Sequence, residues 1–176
     1  MAEAYRGAIG AVPYALRQSD SWLFRSYVIV GGLVASLVAL LTILGIVVLF
    51  GATANVPGGS LTLSRAFYAV VGLFTFAPLI APMLRVARRH RREGSDPAYD
   101  RWLGASGYLF VLSLYGGVVA SMPAQFELDG ELVTRPTPTG PDAPIVELLY
   151  AIPPELSFLV PLAGALVIAG VHYALR

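Results

Sequence analysis

Residues 85–92 carry the densest charge in the chain, with five arginines and one histidine in eight positions. Guanidinium groups stay protonated and bind phosphate or carboxylate through paired hydrogen bonds, so the chemistry that this stretch offers is anion binding. If the stretch is helical, at about 100° per residue, four of the arginines share one face, and His90 and Arg91 point elsewhere. That face consists of Arg85, Arg88, Arg89 and Arg92.

Three roles fit such a cluster. Setting the orientation of a membrane protein is the simplest; the second is contact with anionic lipid headgroups or a membrane partner, and the third is nucleic-acid binding. Basic residues beside a membrane span are attracted to anionic headgroups by about 1 kcal/mol each. Nucleic acid is disfavoured, because no aromatic residues are interleaved with the arginines and no nucleic-acid-binding fold is recognisable. Glu93, Asp96 and Asp100 follow directly and are expected to neutralise part of the charge.

The sequence offers little to an enzyme. It has no cysteine and two histidines, without the spacing of a metal site. It also lacks a nucleophile elbow and a P-loop. No charged residue lies in the middle of an apolar segment, which argues against proton-coupled transport. His172, near the end of the last segment, is more typical of an interfacial residue than of a catalytic base. We therefore predict no enzymatic activity, metal or cofactor.

Four charge-free segments determine the class of protein. The composition is 56% hydrophobic and 13% charged, outside the range of ordinary globular domains. A helix needs about 20 apolar residues to cross a bilayer, and backbone groups in lipid must be paired within the segment. We therefore predict an all-α membrane protein, an antiparallel bundle of four transmembrane helices. The helices are expected at residues 27–50, 66–84, 103–122 and 156–175, and the first is too long and begins too late for a cleaved signal peptide.

The arginines also predict an orientation. Four spans place both termini and the 85–101 loop on one side, which then carries ten arginines, and the other side carries only Arg65 and Arg135. The positive-inside rule therefore predicts a multi-pass protein of the cell membrane with both termini in the cytoplasm. Within the N-terminal segment 1–25, residues 2–17 could form a short interfacial helix interrupted by a proline. Ser19 or Asp20 would cap the first span.

The loop at residues 123–155 is predicted to form a small extracellular cap. Asp129 and Gly130, between β-prone flanks, favour a hairpin that pairs Leu128 with Glu131 and Phe126 with Val133. A Pro-rich stretch and a short helix broken by two prolines follow. The shorter loop at residues 51–64 contains the turn cluster VPGGS.

Two prolines, Pro78 and Pro82, interrupt the second predicted span. Each removes a helical hydrogen bond, which frees the carbonyls of Phe74 and Pro78. A static kink that shapes packing is the simpler interpretation. The alternative is a hinge or an unwound site that lines a transport path.

Small residues recur at every fourth position on two spans, a pattern that lets helices approach closely. We interpret them as packing residues within the bundle, with a homo-oligomer or partner interface as the alternative. They are Gly31, Ala35 and Ala39 on the first span and Ser113, Gly117 and Ser121 on the third.

Four stretches carry a resemblance: GAVPYALRQSD, VPGGSLTLSRAF, RVARRHRR and YDRWLGASGYLF. With them, most of the chain resembles a family of small, uncharacterised multi-pass membrane proteins of halophilic archaea. The resemblance implies a four-helix membrane fold and brings no activity. A composition without lysine and an acidic outer loop fit that origin.

Taken together, these patterns favour a non-enzymatic scaffold or accessory subunit that contacts the bilayer, anionic headgroups and a membrane partner. The alternative is a small oligomeric transporter or channel with a kinked second span. Its polar path would have to use small hydroxyls: Ser36, Thr42, Thr75, Ser106, Ser113, Ser121 and Ser157.

Overall fold

The computed structural model describes residues 7–54 and 60–175, which are mostly helical. Two short strands and a single 3₁₀ turn accompany six α-helices in this part of the chain. In chain order the elements are α1 (Gly7–Gln18), α2 (Trp22–Ala52), α3 (Ser60–Arg92), α4 (Pro97–Ala120), β1 (Gln125–Leu128), β2 (Glu131–Thr134), α5 (Ala143–Tyr150), the 3₁₀ turn (Pro154–Leu156) and α6 (Leu159–Ala174).

Four helices are long and apolar enough to cross a membrane: α2, α3, α4 and α6 with the turn before it. They contain the four predicted spans, with small differences at the ends. Helix α4 ends at Ala120, two residues before its predicted end, and α3 continues to Arg92. Much of the outer surface of α2 is apolar and exposed, as at Leu33 and Leu37, which suits a lipid-facing helix. Most of the predicted VPGGS turn lies outside the described residues.

Helix α4 is the most buried of the four long helices and forms the centre of the bundle, in contact with α2, α3, α5 and α6. Two of its glycines allow close approaches to neighbouring helices. A Cβ atom at Gly104 would lie 2.9 Å from the Cα of Phe24 on α2, and one at Gly117 would lie 2.9 Å from the ring of Pro161 on α6. At Gly104 the backbones of α2 and α4 meet directly, a close approach that small residues permit between helices.

The small residues noted on the first and third spans differ in their surroundings. On α2, Gly31 and Ala35 are buried and Ala39 is half-buried. Beyond α4, Ser121 caps the helix end and is exposed. Ser113, half-buried, packs against Gly164 of α6, close to where Gly117 meets that helix. The first stripe and most of the second therefore face neighbouring helices within one chain.

Helix α1 packs on the bundle as well as following it in sequence. Ala11 and Ala15 are fully buried, and the helix contacts α3 and α2. Pro13 lies inside the helix on its exposed side. The expected N-cap of α2 was wrong by one or two positions, because Ser21 is the capping residue and accepts a hydrogen bond from the backbone N–H of Phe24 at 3.3 Å. Ser19 is buried and bonds elsewhere.

The predicted hairpin is present with the predicted pairs, Phe126 opposite Val133 and Leu128 opposite Glu131. Its turn has positive φ at both central residues, 53° at Asp129 and 84° at Gly130. This conformation matches the twist of the two strands and favours glycine. The hairpin, α5 and the 3₁₀ turn form a small cap at one end of the bundle, called the hairpin end below. The opposite end, with residues 85–101, is called the arginine end.

Candidate anion-binding site

The four arginines predicted to share a face line one pocket at the arginine end. The pocket has a volume of about 270 Å³ and lies between α3, α4 and α6. Its other lining residues are Glu93, Tyr99 of α4 and His172 of α6. The pocket therefore presents four guanidinium groups against two aromatic rings and one carboxylate. The arginines concerned are Arg85, Arg88, Arg89 and Arg92.

The face of α3 opposite the arginines is buried, and this burial fixes the rotation of the helix about its axis. Met83, Val86 and Ala87 on that face are fully buried, and α1 packs against this helix. Because side chains three, four and seven positions apart share a face, burial of this set turns the four arginines toward the pocket. His90 belongs to the buried face, so its separation from the arginine face agrees with the helical spacing.

Arg89 joins three segments. Its Nε lies 3.3 Å from Glu93 Oε2, and its Nη2 lies 3.1 Å from Asp96 Oδ2. Its guanidinium carbon lies 4.2 Å from the centre of the Tyr99 ring. Nη1 donates to the backbone carbonyl of Leu175 at 2.6 Å, just beyond α6. Arg89 is therefore a fixed part of the pocket wall, held by charge, a ring face and a carbonyl.

The acidic residues neutralise the cluster unevenly. Glu93 and Asp96 both pair with Arg89. Among the described residues, no acid lies within ion-pair distance of Arg85, Arg88 or Arg92. Arg85 is half-buried and the other two are exposed. The expected partial neutralisation therefore applies to one arginine, and three cations remain available to an external anion.

Tyr99 and His172 form the wall of the pocket opposite α3. The Tyr99 hydroxyl lies 2.8 Å from His172 Nδ1, and the two rings meet edge to face at 6.1 Å. Tyr99 is only 2% exposed, and it precedes the apolar part of α4, which begins at Trp102. Burial raises the pKa of Tyr99, while nearby Arg89 and Arg85 lower it. The net rise keeps the hydroxyl protonated, so it can donate to Nδ1 when that nitrogen carries no proton.

A buried carboxylate lies behind the pocket, at Asp100, which the sequence had placed among the acids expected to neutralise the arginines. Asp100 is fully buried. It accepts a hydrogen bond from the Ser19 hydroxyl at 2.5 Å, and His90 Nε2 lies 2.9 Å from its Oδ2. Burial raises the pKa of Asp100, an effect that the Ser19 hydrogen bond and the charge of His90 partly offset. No local sequence pattern predicts this cluster, since Ser19 and Asp100 are 81 residues apart.

This serine, histidine and aspartate do not form a nucleophilic triad. In a triad the histidine accepts the serine proton and the aspartate orients the histidine. Here the carboxylate of Asp100 is in the middle, and both Ser19 and His90 bond to it. All three side chains are buried. The arrangement therefore joins segments of the fold and does not activate a nucleophile.

The family model of a domain of unknown function, DUF8056, matches residues 1–176. The chain belongs to the DUF8056 family. Comparison with curated proteins and with solved structures gave no match.

The arginines at the hairpin end of the DUF8056 chain have internal partners. Arg65 donates to the side chain and carbonyl of Thr53 and lies over the ring of Phe50. Arg135 lies 4.0 Å from the centre of the Tyr150 ring and donates to two carbonyls. These contacts saturate much of each guanidinium. An external anion therefore meets available guanidinium groups chiefly at the arginine end.

The two prolines lie inside a continuous α3. Next to them, the hydroxyl of Tyr27 on α2 donates to the carbonyl of Leu79 at 2.6 Å. The sequence predicts that the carbonyls of Phe74 and Pro78 are freed, and these lie five positions and one position before the acceptor Leu79. Tyr27 also fills the space beside Gly31 and Gly107. The interrupted segment of the DUF8056 chain is therefore packed against a neighbouring side chain.

The described part of the chain was also compared with the requirements of a metal site. No group of three histidine, aspartate or glutamate side chains lies close enough there to hold a metal ion. The pair formed by His90 and Asp100 is buried, and the Ser19 hydroxyl also bonds to its carboxylate.

Proposed function

We propose that this protein is a non-enzymatic scaffold or accessory subunit of the cell membrane that binds an anionic lipid headgroup in the arginine pocket. The observation that carries the proposal is the pocket itself, where three arginines without an acidic partner among the described residues stand beside a fixed fourth. Guanidinium groups bind phosphate oxygens through paired hydrogen bonds. The membrane partner would meet the same arginine end.

The depth of the pocket suits a headgroup. Arg85 follows the apolar segment of α3 without an intervening residue, so the pocket begins where the hydrocarbon core is expected to end. Trp22 and Trp102 are 80% and 57% exposed at this end of the bundle. Tryptophan is enriched at membrane–water interfaces because its ring is apolar and its N–H is polar. Both features support placing the lipid phosphates at the level of the pocket.

The orientation is part of the proposal. With the arginine end in the cytoplasm, the inner side carries ten arginines and the outer side two, in accord with the positive-inside rule. Both termini are then cytoplasmic and the hairpin end is extracellular. The sequence resemblance supports an origin in a halophilic archaeon.

The hydrogen bonds of the hydroxyl groups favour the lipid-binding role over the alternative of a transporter or channel. Five of the seven hydroxyls that a polar path would need donate to a carbonyl three or four residues earlier in the same helix, an interaction common for such side chains in helices. A hydroxyl that bonds within its own helix offers less to a passing ion or solute. The five are Ser36, Thr75, Ser106, Ser113 and Ser121.

Lipid retention tests the headgroup role. Wild-type protein purified in mild detergent with phosphatidylglycerol and phosphatidylcholine should retain phosphatidylglycerol, as counted by native mass spectrometry. Replacing Arg85, Arg88 and Arg92 with glutamine should weaken retention roughly 100-fold, since each arginine contributes about 1 kcal/mol near an anionic surface. The matched control replaces Arg17, Arg25 and Arg101, which are exposed at the same end outside the pocket. If both triple variants lose phosphatidylglycerol equally, the lipid is attracted by the overall positive charge of this end and not by the pocket.

Orientation is tested by labelling single cysteines in a chain that has none of its own. Ser95→Cys reports on the arginine end and Thr137→Cys on the hairpin end, and both positions are exposed. An impermeant maleimide added to intact cells should label Thr137→Cys only. Labelling of Ser95→Cys alone would reverse the proposed orientation.

A further inference from the structure

We infer that the arginine pocket selects a phosphate monoester over a phosphate diester. A monoester has three terminal oxygens and up to two negative charges, whereas a diester has two such oxygens and one charge. The inference rests on the proposed headgroup role and deepens it, because it names the chemical group that the pocket fits best.

The charge of the pocket matches a dianion. Its four arginines contribute four positive charges, and Glu93 and Asp96, both bonded to Arg89, contribute two negative charges, with His172 counted as neutral as in the formal charge of the chain. The balance is two positive charges. Asp100 adds nothing to this sum at the pocket surface, since it is fully buried and bonded to Ser19 and His90. A phosphate diester would leave one positive charge uncompensated, and a monoester dianion would leave none.

The number of available donors matches three oxygens. Arg85, Arg88 and Arg92 each present a guanidinium fork without an acidic partner among the described residues. They lie on successive turns of α3, over seven positions and a rise of about 10 Å along the helix axis. Their side chains can therefore reach a single phosphate from different positions along the helix. Arg89 stays on the wall, held by two carboxylates, the Tyr99 ring and the Leu175 carbonyl. This arrangement gives one guanidinium for each terminal oxygen of a monoester.

The pocket has room for more than the phosphate. Its volume of about 270 Å³ exceeds that of the phosphate group alone, so a polar fragment such as glycerol can enter with it. The pocket borders the apolar segment of α3 on one side and solvent on the other. The monoester can therefore be the headgroup of a lipid with a terminal phosphate or a water-soluble phosphate monoester.

The experiment compares two lipids with the same acyl chains. Wild-type protein is placed in phosphatidylcholine nanodiscs with equal small fractions of phosphatidic acid or phosphatidylglycerol, and bound lipid is measured by native mass spectrometry. We expect phosphatidic acid to bind roughly tenfold more tightly above its second pKa, which is about 6 for phosphate monoesters. The preference should shrink as the pH falls below that value and the dianion takes up a proton. Equal binding of the two lipids throughout would overturn the inference.

The variants separate this inference from the proposed function. The Arg85, Arg88 and Arg92 triple glutamine variant should lose the preference, and the Arg17, Arg25 and Arg101 triple variant should keep it. If wild-type protein binds both lipids equally and the pocket variant loses both, monoester selection is wrong and the headgroup role stands. If the pocket variant changes neither, both are wrong.

A competition arm identifies the source of the monoester. Inorganic phosphate and glycerol 3-phosphate are added to wild-type protein with bound phosphatidic acid. Displacement supports a pocket that takes soluble monoesters, and retention of the lipid while the preference over phosphatidylglycerol persists supports a lipid headgroup. Displacement by chloride at the same ionic strength would show that only screened charge is involved and would overturn the inference.

Discussion

Ser19 donates a hydrogen bond to Asp100 at 2.5 Å, and this bond joins the turn between α1 and α2 to the first turn of α4. His90, near the end of α3, lies 2.9 Å from the same carboxylate. One buried carboxyl group therefore holds three segments of the arginine end together. Removing it would leave two buried polar side chains without their partner, at a cost of about 1–3 kcal/mol for each.

Replacement of Asp100 should separate its hydrogen bonding from its charge. Asp100→Leu should destabilise the protein by about 3–5 kcal/mol, because both Ser19 and His90 lose a buried partner. Asp100→Asn keeps an oxygen for the Ser19 hydroxyl and should cost much less. Thermal unfolding in detergent, followed by tryptophan fluorescence, measures both. A leucine variant as stable as the asparagine variant would mean that the buried contacts contribute little.

The pH dependence of stability should change in the same variant. The pKa of Asp100 is raised above its ordinary value, near 3.9, with burial as the main cause. A group with a raised folded pKa stabilises most below its unfolded pKa, and this contribution is lost as pH rises through the folded value. Wild-type stability should therefore contain a component that declines above about pH 4. Asp100→Asn should lack it, so the stability difference between the two proteins should shift in favour of asparagine as pH rises. A difference that stays constant from pH 4 to pH 8 would contradict this.

The contrast between Arg88 and Asp100 shows how far sequence reasoning extends. The arginine face depends on helical spacing within eight residues, and the hairpin register depends on a two-residue turn, so both could be predicted from local pattern. Likewise, charge-free length alone was enough to predict four long apolar helices. The Ser19–Asp100 bond and the placement of Tyr99 and His172 beside Arg89 depend on which helices touch. Composition does not specify such contacts, because all four long helices are apolar and their sequences do not show which of them pack together.

Gly104 tests the close approach at the centre of the bundle. A Cβ atom there would lie 2.9 Å from the Cα of Phe24, where backbone cannot yield as a flexible side chain can. Gly104→Ala should therefore force α2 and α4 apart and cost about 1–3 kcal/mol. Gly32→Ala is the matched control, since a Cβ atom at Gly32 meets nothing within 4 Å. It should be neutral or stabilise by up to about 1 kcal/mol, because alanine favours helix over glycine.

The thermal unfolding midpoints of the two glycine variants test whether α2 and α4 are in direct contact at Gly104. A lower midpoint for Gly104→Ala with an unchanged or higher one for Gly32→Ala would support direct contact between the two helices. Equal midpoints would show that α2 and α4 can separate at no cost, and the proposed tight centre at α4 would then be wrong.

Arg89 offers a final test, because its role in the pocket is to position other groups. Arg89→Lys keeps the positive charge but loses the planar fork that meets Glu93 and Asp96 together, and it loses much of the stacking on Tyr99. We expect a loss of about 2 kcal/mol in stability, since a charged hydrogen bond to a carbonyl and a cation–π contact are both affected. Arg88→Lys is the control, because Arg88 is exposed and has no acidic partner among the described residues. The stability of the Arg88→Lys variant should equal that of the wild-type protein. If the two lysine variants unfold at the same temperature, Arg89 does not join α3 to α4 and α6.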